Sequence, residues 1–296
     1  MELLNGKDWE LLISNIDNFL FDCDGVLWEG NTIIPGGVEA ITYLKSRNKR
    51  IFFVTNNSTK SRVEYVKKFT TLGYPVEFEQ IICTAFATGY YMKNVLNFEG
   101  KAYLMGRPGF KQELNELGIN TSKVGPDLTS GELDAWSSIP LDPDITGVIV
   151  GFDEYFNYKK MTLAATYLSD PNCKFIATNE DNILPTGTKV ILPGSGSLLE
   201  AVKFVSQREP VVIGKPHSPI FECLKSMANI DQDRTVMVGD RLGTDIAFGN
   251  RNGLKTVLTL SGVTSREQLD KELAKPASEC KPKFYTNSLQ TLTKEM

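Results

Sequence analysis

Histidine is almost missing from this chain: His217 is the single one among 296 residues. A Ser-His-Asp triad, a Cys-His pair or a histidine-rich zinc site must use that residue or not exist. Its setting, Gly214-Lys215-Pro216-His217-Ser218-Pro219, has no HExxH-like spacing, so His217 reads as an ordinary residue of a loop or helix start. Cysteine is sparse too. Cys23, Cys83, Cys173, Cys223 and Cys280 are far apart, odd in number and form no CxxC pair, which argues against a disulfide framework and zinc knuckles. No apolar run is long enough to span a bilayer, so no membrane partner is expected. Residues 1–10 carry Glu2, Lys7, Asp8 and Glu10 and lack the charged-then-apolar layout of a secretion signal. Positive charge is not in excess: the formal net charge is −4, which argues against nucleic acid as partner. Small anionic substrates stay open, because a local cation or metal can outweigh a mildly acidic whole. The expected compartment is the cytoplasm, or the nucleus.

What is present is an alternation of short apolar runs with longer helical patterns, the mark of a parallel sheet covered by helices. Strands are expected at Asn18–Phe21, Ile51–Val54 and Ile81–Thr84, then at Val211–Ile213, Thr235–Val238 and Thr256–Leu260. Helices are expected at Gly37–Arg47, Thr59–Leu72 with Ser58 or Thr59 as cap, Pro219–Ala228 and Thr244–Asn250. A second αβ section lies between, with strands at Ala102–Met105, Gly147–Val150 and Phe175–Thr178 and helices at Lys159–Leu168 and Ser197–Ser206. Ser122–Pro143, rich in Gly, Pro, Asp and Ser, reads as irregular. The fold class is α/β: a Rossmann-like, doubly wound parallel sheet from residues 1–100 and 209–296, interrupted by an insertion over 101–208.

Four strand ends carry polar residues. Asp22-Cys23-Asp24-Gly25 places two carboxylates one residue apart, costly at the end of a buried strand unless a cation repays their desolvation. Mg²⁺ suits such a pair, and Gly25 lets the backbone turn sharply beside a ligand. Alone, the tetrapeptide fits an ordinary strand-ending turn as well. Thr55-Asn56-Asn57 offers a hydroxyl and amides at a helix start, suited to phosphate oxygens or to plain helix capping. Lys215 follows an apolar strand and precedes a proline, where it either offsets negative charge in a cleft or sits solvated. Asp240 ends a strand and Asp245 follows about one helical turn later; they could ligate and support a metal, or serve a helix N-terminus.

Together and in this order, the four elements resemble the motifs of the haloacid dehalogenase superfamily. The segments DCDGVLW (Asp22 to Trp28), VTNNSTKSR (Val54 to Arg62), IGKP (Ile213 to Pro216) and MVGDRLGTDI (Met237 to Ile246) are similar to the eukaryotic phosphoglycolate phosphatase and para-nitrophenyl phosphatase family, including the fungal alkaline type. The tail around Phe284-Tyr285 and Ser288-Leu289 is similar as well, so the resemblance spans nearly the whole chain. It implies that the insertion is a cap of the C2 type. It implies a Mg²⁺-dependent hydrolysis of small phosphate monoesters through an aspartyl-phosphate, with Asp22 as nucleophile and metal ligand. Asp24 would be the acid–base, its carbonyl a further metal ligand. Thr55, Asn56 and Asn57 would hold the phosphoryl oxygens, Lys215 would neutralise charge, Asp240 would ligate the metal and Asp245 support it. A homodimer through the cap is a further implication.

The expected partners are therefore small phosphorylated metabolites. Pyridoxal phosphate or a phosphoprotein as substrate, and transfer of the phosphoryl group to an acceptor other than water, remain alternatives. Dehalogenation is disfavoured, because attack on carbon has little need of Asp24. Substrate choice is expected from Asn179–Pro185 and from Pro193-Gly194-Ser195-Gly196-Ser197, the latter also readable as a tight turn. The pyridoxal phosphatase branch has histidine where this chain has Leu184, whereas the phosphoglycolate branch resembles this chain. Leu184 therefore points to a small aliphatic phosphate. Cys23, between the two aspartates, reads either as a small buried hydrophobe or as a redox-sensitive thiol.

Overall fold

A computed structural model of the chain describes residues 2–4, 6–127, 136–184 and 189–293. Its larger sheet has seven strands: β1 (Glu2–Leu3), β2 (Asn18–Phe21), β5 (Arg50–Thr55), β6 (Ile81–Cys83), β14 (Thr235–Gly239), β15 (Lys255–Thr259) and β16 (Phe284–Thr286). They run parallel in the order β1-β16-β15-β14-β2-β5-β6. The central strands read Asn-Phe-Leu-Phe, Arg-Ile-Phe-Phe-Val-Thr and Thr-Val-Met-Val-Gly and are almost wholly buried. Such unbroken apolar runs are what a sheet covered on both faces requires.

The chain winds outward from β2 through β5 to β6, and outward from β14 through β15 to β16. Neighbouring β2 and β14 are thus where the winding changes direction, and their carboxyl ends open into the crevice that open α/β sheets use for ligands. Register sets Phe21 beside Val238 and Phe53, so the residues that follow, Asp22 and Asp240, emerge side by side.

A second parallel sheet comprises β7 (Lys101–Met105), β8 (Asn120–Thr121), β9 (Ile145–Val150), β10 (Lys174–Ala177) and β13 (Val211–Val212), in the order β13-β10-β9-β7-β8. This corrects the expected division, which ended the insertion at 208 and gave Val211–Ile213 to the larger sheet. β13 pairs with β10, through Ile176↔Val211 and Ala177↔Val212. A short apolar run does not say which sheet it joins; here backbone pairing decides. Two antiparallel ribbons complete the strands: β3 (Trp28–Glu29) with β4 (Thr32–Ile33), and β11 (Ile183–Leu184) with β12 (Leu192–Pro193).

Three helix starts also move. The helix after β5 begins at Arg62 rather than Thr59, capped by Ser61 with Glu64 closing a capping box. Asn57 is the reason: its Oδ1 accepts from the backbone N and hydroxyl of Thr59, holding 57–59 as a turn. The helix expected at Ser197 starts at Ser195, after Gly194. The expected helix from Thr244 is a wide π-turn over Leu242–Ile246 followed by the short helix Ala247–Arg251. Within Ser122–Pro143 and Asn179–Pro185, residues 128–135 and Pro185 lie outside the described residues.

The two layers are joined by a buried ion pair, Arg62 Nε to Glu113 Oε2 at 2.9 Å, with the guanidinium over the Phe86 ring at 3.6 Å. Breaking one partner of such a buried pair costs about 3–5 kcal/mol, because the other is left uncompensated. It ties the loop carrying Asn56 and Asn57 to the helix Pro108–Glu116 beside β7.

Candidate active site

Four loops meet beyond the β2 and β14 ends. Lys215 is the hub. Its Nζ donates to Asp22 Oδ1 at 2.7 Å and to the Val54 carbonyl at 2.7 Å, and pairs with Asp245 Oδ1 at 2.7 Å. Only 2% of its side chain is exposed. Burial alone would lower its pKa, but the carboxylates of Asp22 and Asp245 outweigh that and hold it above the usual lysine range. Lys215 is therefore a permanent charge at this depth.

The acids face the converse problem. Burial pushes the Asp22 carboxyl well up, Lys215 pulls it back, and Asp245 and Asp240 push it up again. Asp240 is pushed up to about 7 by its burial and by Asp245. Carboxylate oxygens of Asp22, Asp240 and Asp245 all lie within 4.8 Å of one another. Asp245 Oδ2 accepts from the backbone N–H of Asp240 and Arg241. Asp240 Oδ2 accepts from Val263 N at 2.7 Å, while its buried Oδ1 has no hydrogen-bond partner among the described residues. Three carboxylates against one ammonium, with an orphaned buried oxygen, leave a deficit of about two positive charges, which a divalent cation matches. The donor set, all carboxylate oxygen, suits a hard ion such as Mg²⁺.

Backbone shape makes the crowding feasible. Gly25 sits at φ +86, and a Cβ there would lie 2.3 Å from Asp240 Oδ2. Only glycine lets the turn after Asp24 pass so close to the acid.

The residues expected to do the chemistry are brought together here. Asp22, Asp24, Thr55, Asn56, Asn57, Lys215, Asp245 and Leu184 line one cavity, with Asp240 buried just behind it. The two asparagines are also engaged by their surroundings. Asn57 spends its Oδ1 on Thr59, so its carbonyl oxygen serves the loop rather than the cavity. Asn56 Nδ2 donates to the Lys215 carbonyl at 2.9 Å and to Asp181 Oδ2 at 3.2 Å. Cys23 is fully packed and burial raises its thiol pKa well above the ordinary value, with Asp22 and Asp24 adding to the effect. That disfavours the thiolate, so the buried-hydrophobe reading holds.

Asp181, from the expected segment Asn179–Pro185, lines the cavity too, together with Arg241 and Phe152, which sequence reasoning had not singled out. Asp181 pairs with Arg241 at 3.9 Å and hydrogen-bonds Asn56, joining the loop after β10 to the β14 loop. Burial raises its pKa, with Arg241 opposing. Arg241 stands inside the segment Met237 to Ile246, next to Asp240, which was the available signal for it; nothing local marks Phe152.

The haloacid dehalogenase-like hydrolase family matches residues 19–120, and a second, HAD-hydrolase-like family matches 212–292. Glycerol-3-phosphate phosphatase of Mus musculus is 41% identical over 98% of this chain and 94% of its own length. The chloroplastic phosphoglycolate phosphatase 1A of Arabidopsis thaliana is 40% identical over 94% of this chain and 76% of its own. Among solved structures, a p-nitrophenyl phosphatase from Archaeoglobus fulgidus superposes with a TM-score of 0.80 at 29% identity, over 95% of this chain and 99% of that one. With relatives at that identity along nearly its whole length, the chain belongs to the haloacid dehalogenase-like hydrolases, among their phosphoric monoester hydrolases.

Proposed function

We propose that the protein is a Mg²⁺-dependent phosphatase for small aliphatic phosphate monoesters, working through an aspartyl-phosphate on Asp22, with the five-stranded layer as its cap. The observation that carries this reading is Lys215 Nζ on Asp22 Oδ1, set against Asp240 and Asp245. Lys215 occupies one oxygen of Asp22 and leaves the other to attack phosphorus. The ammonium also offsets the charge that gathers on the phosphoryl oxygens. Thr55, Asn56 and Asn57 border the place of that group. Asp24 gives a proton to the leaving oxygen and later takes one from the water that hydrolyses the acyl phosphate. Mg²⁺ held by Asp22, Asp240 and the Asp24 carbonyl, with Asp245 in support, would supply positive charge at the transferring group.

The leaving group meets Phe152, Ile183 and Leu184, with Asp181 and Arg241 as polar neighbours. Leu184 offers no hydrogen bond to an aromatic aldehyde, and the wall suits a short chain. The relatives named for glycerol-3-phosphate and phosphoglycolate both act on such esters, and either fits this description. The five cysteines are free, which suits a cytoplasmic setting.

The test is kcat/KM for glycerol-3-phosphate, phosphoglycolate and pyridoxal phosphate, with free phosphate and transfer to added alcohols measured together. Preference for a short aliphatic ester with phosphate as the main product is expected. Dominant transfer to alcohol would make the enzyme a phosphotransferase, and preference for pyridoxal phosphate would overturn the substrate class.

A further inference from the structure

Trp28 is wholly buried, yet it reaches the cavity through one atom. The turn after β2 folds tightly back: Leu27 N and Trp28 N both donate to the Cys23 carbonyl, and Gly25 N donates to the Trp28 carbonyl at 2.8 Å. That closure sets Trp28 beside Asp24, and the indole Nε1 donates to Asp24 Oδ1 at 2.9 Å. The ring is clamped edge-on by Phe69, centroids 4.7 Å apart, and by Tyr74 at 6.0 Å. Lys68 Nζ stands over its face at 4.2 Å, where a cation draws electron density from the ring and makes the N–H a stronger donor. An apolar ring of this size would fill the core as well without the nitrogen. The N–H is directed at the carboxylate of a residue that lines the cavity.

We propose that Trp28 is a positioning residue that decides which oxygen of Asp24 carries the transferable proton. The inference rests on the reading of Asp24 as acid–base. Indole nitrogen donates and never accepts. The bond favours Oδ1 as the carbonyl oxygen, a better acceptor than a hydroxyl, so the proton of neutral Asp24 is held preferentially on Oδ2. In the first step one oxygen of Asp22 bonds to phosphorus as the ester P–O bond breaks. Its electron pair goes to the leaving oxygen, which takes the proton from Oδ2 and departs as an alcohol. In the second step Oδ2 takes a proton from the water attacking phosphorus, and Asp22 is released as a carboxylate. Both transfers use the same oxygen, held in place by the bond to its twin. Without the indole donor the carboxyl can rotate, and the proton divides between two oxygens of which one faces the leaving group.

The experiment compares leaving groups. Acid assistance matters most when the departing oxygen is a poor leaving group, so the loss should grow with the pKa of the alcohol. Trp28→Phe keeps an aromatic ring against Phe69 and Tyr74 and removes the donor. A second variant carries 3-benzothienylalanine at position 28, which keeps the bicyclic shape and replaces N–H by sulfur. Both are assayed with Mg²⁺ on glycerol-3-phosphate, p-nitrophenyl phosphate and 2,4-dinitrophenyl phosphate, beside wild type and Asp24→Asn. We expect a loss of roughly tenfold or more in kcat/KM, which reports the step that expels the alcohol, on the alkyl ester, a small part of the ~10²–10⁴ that general acids supply, shrinking to about twofold on the dinitrophenyl ester. Added to Asp24→Asn, the benzothienyl change should bring no further leaving-group dependence. A loss equal for all three esters, or none, in the benzothienyl variant overturns the inference even if Trp28→Phe fails to fold. If Asp24→Asn itself loses equally on all three, the acid–base reading falls and takes this one with it. If Asp24→Asn is selective while the Trp28 variants are not, only the role of Trp28 falls.

Discussion

The two walls of the cavity are built on opposite terms. On the side of the seven-stranded sheet, Lys215, Asp240 and Asp245 are buried almost completely and Asp22 is only 9% exposed. Each is held by backbone or by a neighbouring charge, and Gly25 admits no side chain beside Asp240. On the other side stands the ribbon of β11 and β12, two residues per strand, with Ile183 at 40%, Leu192 at 38% and nearby Ile191 at 73% exposure. Such a ribbon has little stability of its own and leans on what it packs against. In the proposed reaction the buried wall would address a group that never varies, the phosphoryl, and the exposed wall one that does. Damage to the first should therefore cost chemistry for every ester, and changes in the second should redistribute activity among esters.

The hardest test of that division is Asp22→Asn. An amide cannot attack phosphorus, so steady turnover should fall at least ~10³-fold, to the same degree for aliphatic and aryl phosphates. Turnover above about one per cent of wild type in a clean preparation would move the nucleophile elsewhere, because a loss that small is below what removal of a nucleophile produces.

Metal removal comes next. Asp240 titrates near 7 in the fold against 3.8 ordinarily, so between those values the folded chain keeps a proton that the unfolded chain releases. Stability from this group is thus full below about pH 4 and is lost as the pH rises through 7 in the metal-free protein. Bound Mg²⁺ favours the ionised form and should restore what is lost. The rise in Tm on adding Mg²⁺ to chelator-treated protein is then expected to be larger at pH 8 than at pH 5, by several degrees at roughly 2–4 °C per kcal/mol. Scanning calorimetry gives the answer, and an equal rise at both values would separate these acids from metal binding.

Leu184→His should have the smallest effect and the most selective. The ratio of kcat/KM for pyridoxal phosphate over phosphoglycolate should rise roughly tenfold, about the value of one well-placed hydrogen bond. Turnover of p-nitrophenyl phosphate serves as the control and should change no more than about twofold if the buried wall alone does the chemistry. An unchanged ratio would remove Leu184 from substrate choice, and a large drop in the control would erase the boundary between the walls.

The buried wall was also the legible one. β2 and β14 are unbroken apolar runs that stop at Asp22 and Asp240, and a parallel sheet makes such stops its ligand-binding edge. Local periodicity placed the helices Gly37–Ser46 and Pro219–Ala228 for the same reason. What escaped depended on partners distant in the chain. Val211–Val212 could have joined either sheet, and the pairing of Asp181 with Arg241, sixty residues further on, shows in no local pattern. The delayed start at Arg62 was hidden differently: the Asn57 side chain holds 57–59 as a turn and Ser61 supplies the cap, a choice that composition does not display. Trp28 was visible as part of a motif, but its hydrogen bond to Asp24 depends on how the intervening turn closes.

One strand carries a consequence for motion. β13 is the last strand of the five-stranded sheet, and its ladder continues past Val212, with Ile213 N donating to the Ala177 carbonyl and Gly214 N to the Thr178 carbonyl at 2.8 Å. The next residue is Lys215. Lys215 is therefore joined to the smaller sheet through its chain and to the larger one through its ammonium, which Asp22 and the Val54 carbonyl hold. Swinging the smaller sheet outward must either snap the Gly214–Thr178 link or draw the ammonium away from Asp22. Any displacement between the two sheets is thus coupled, through Gly214 and Lys215, to the charge that faces Asp22.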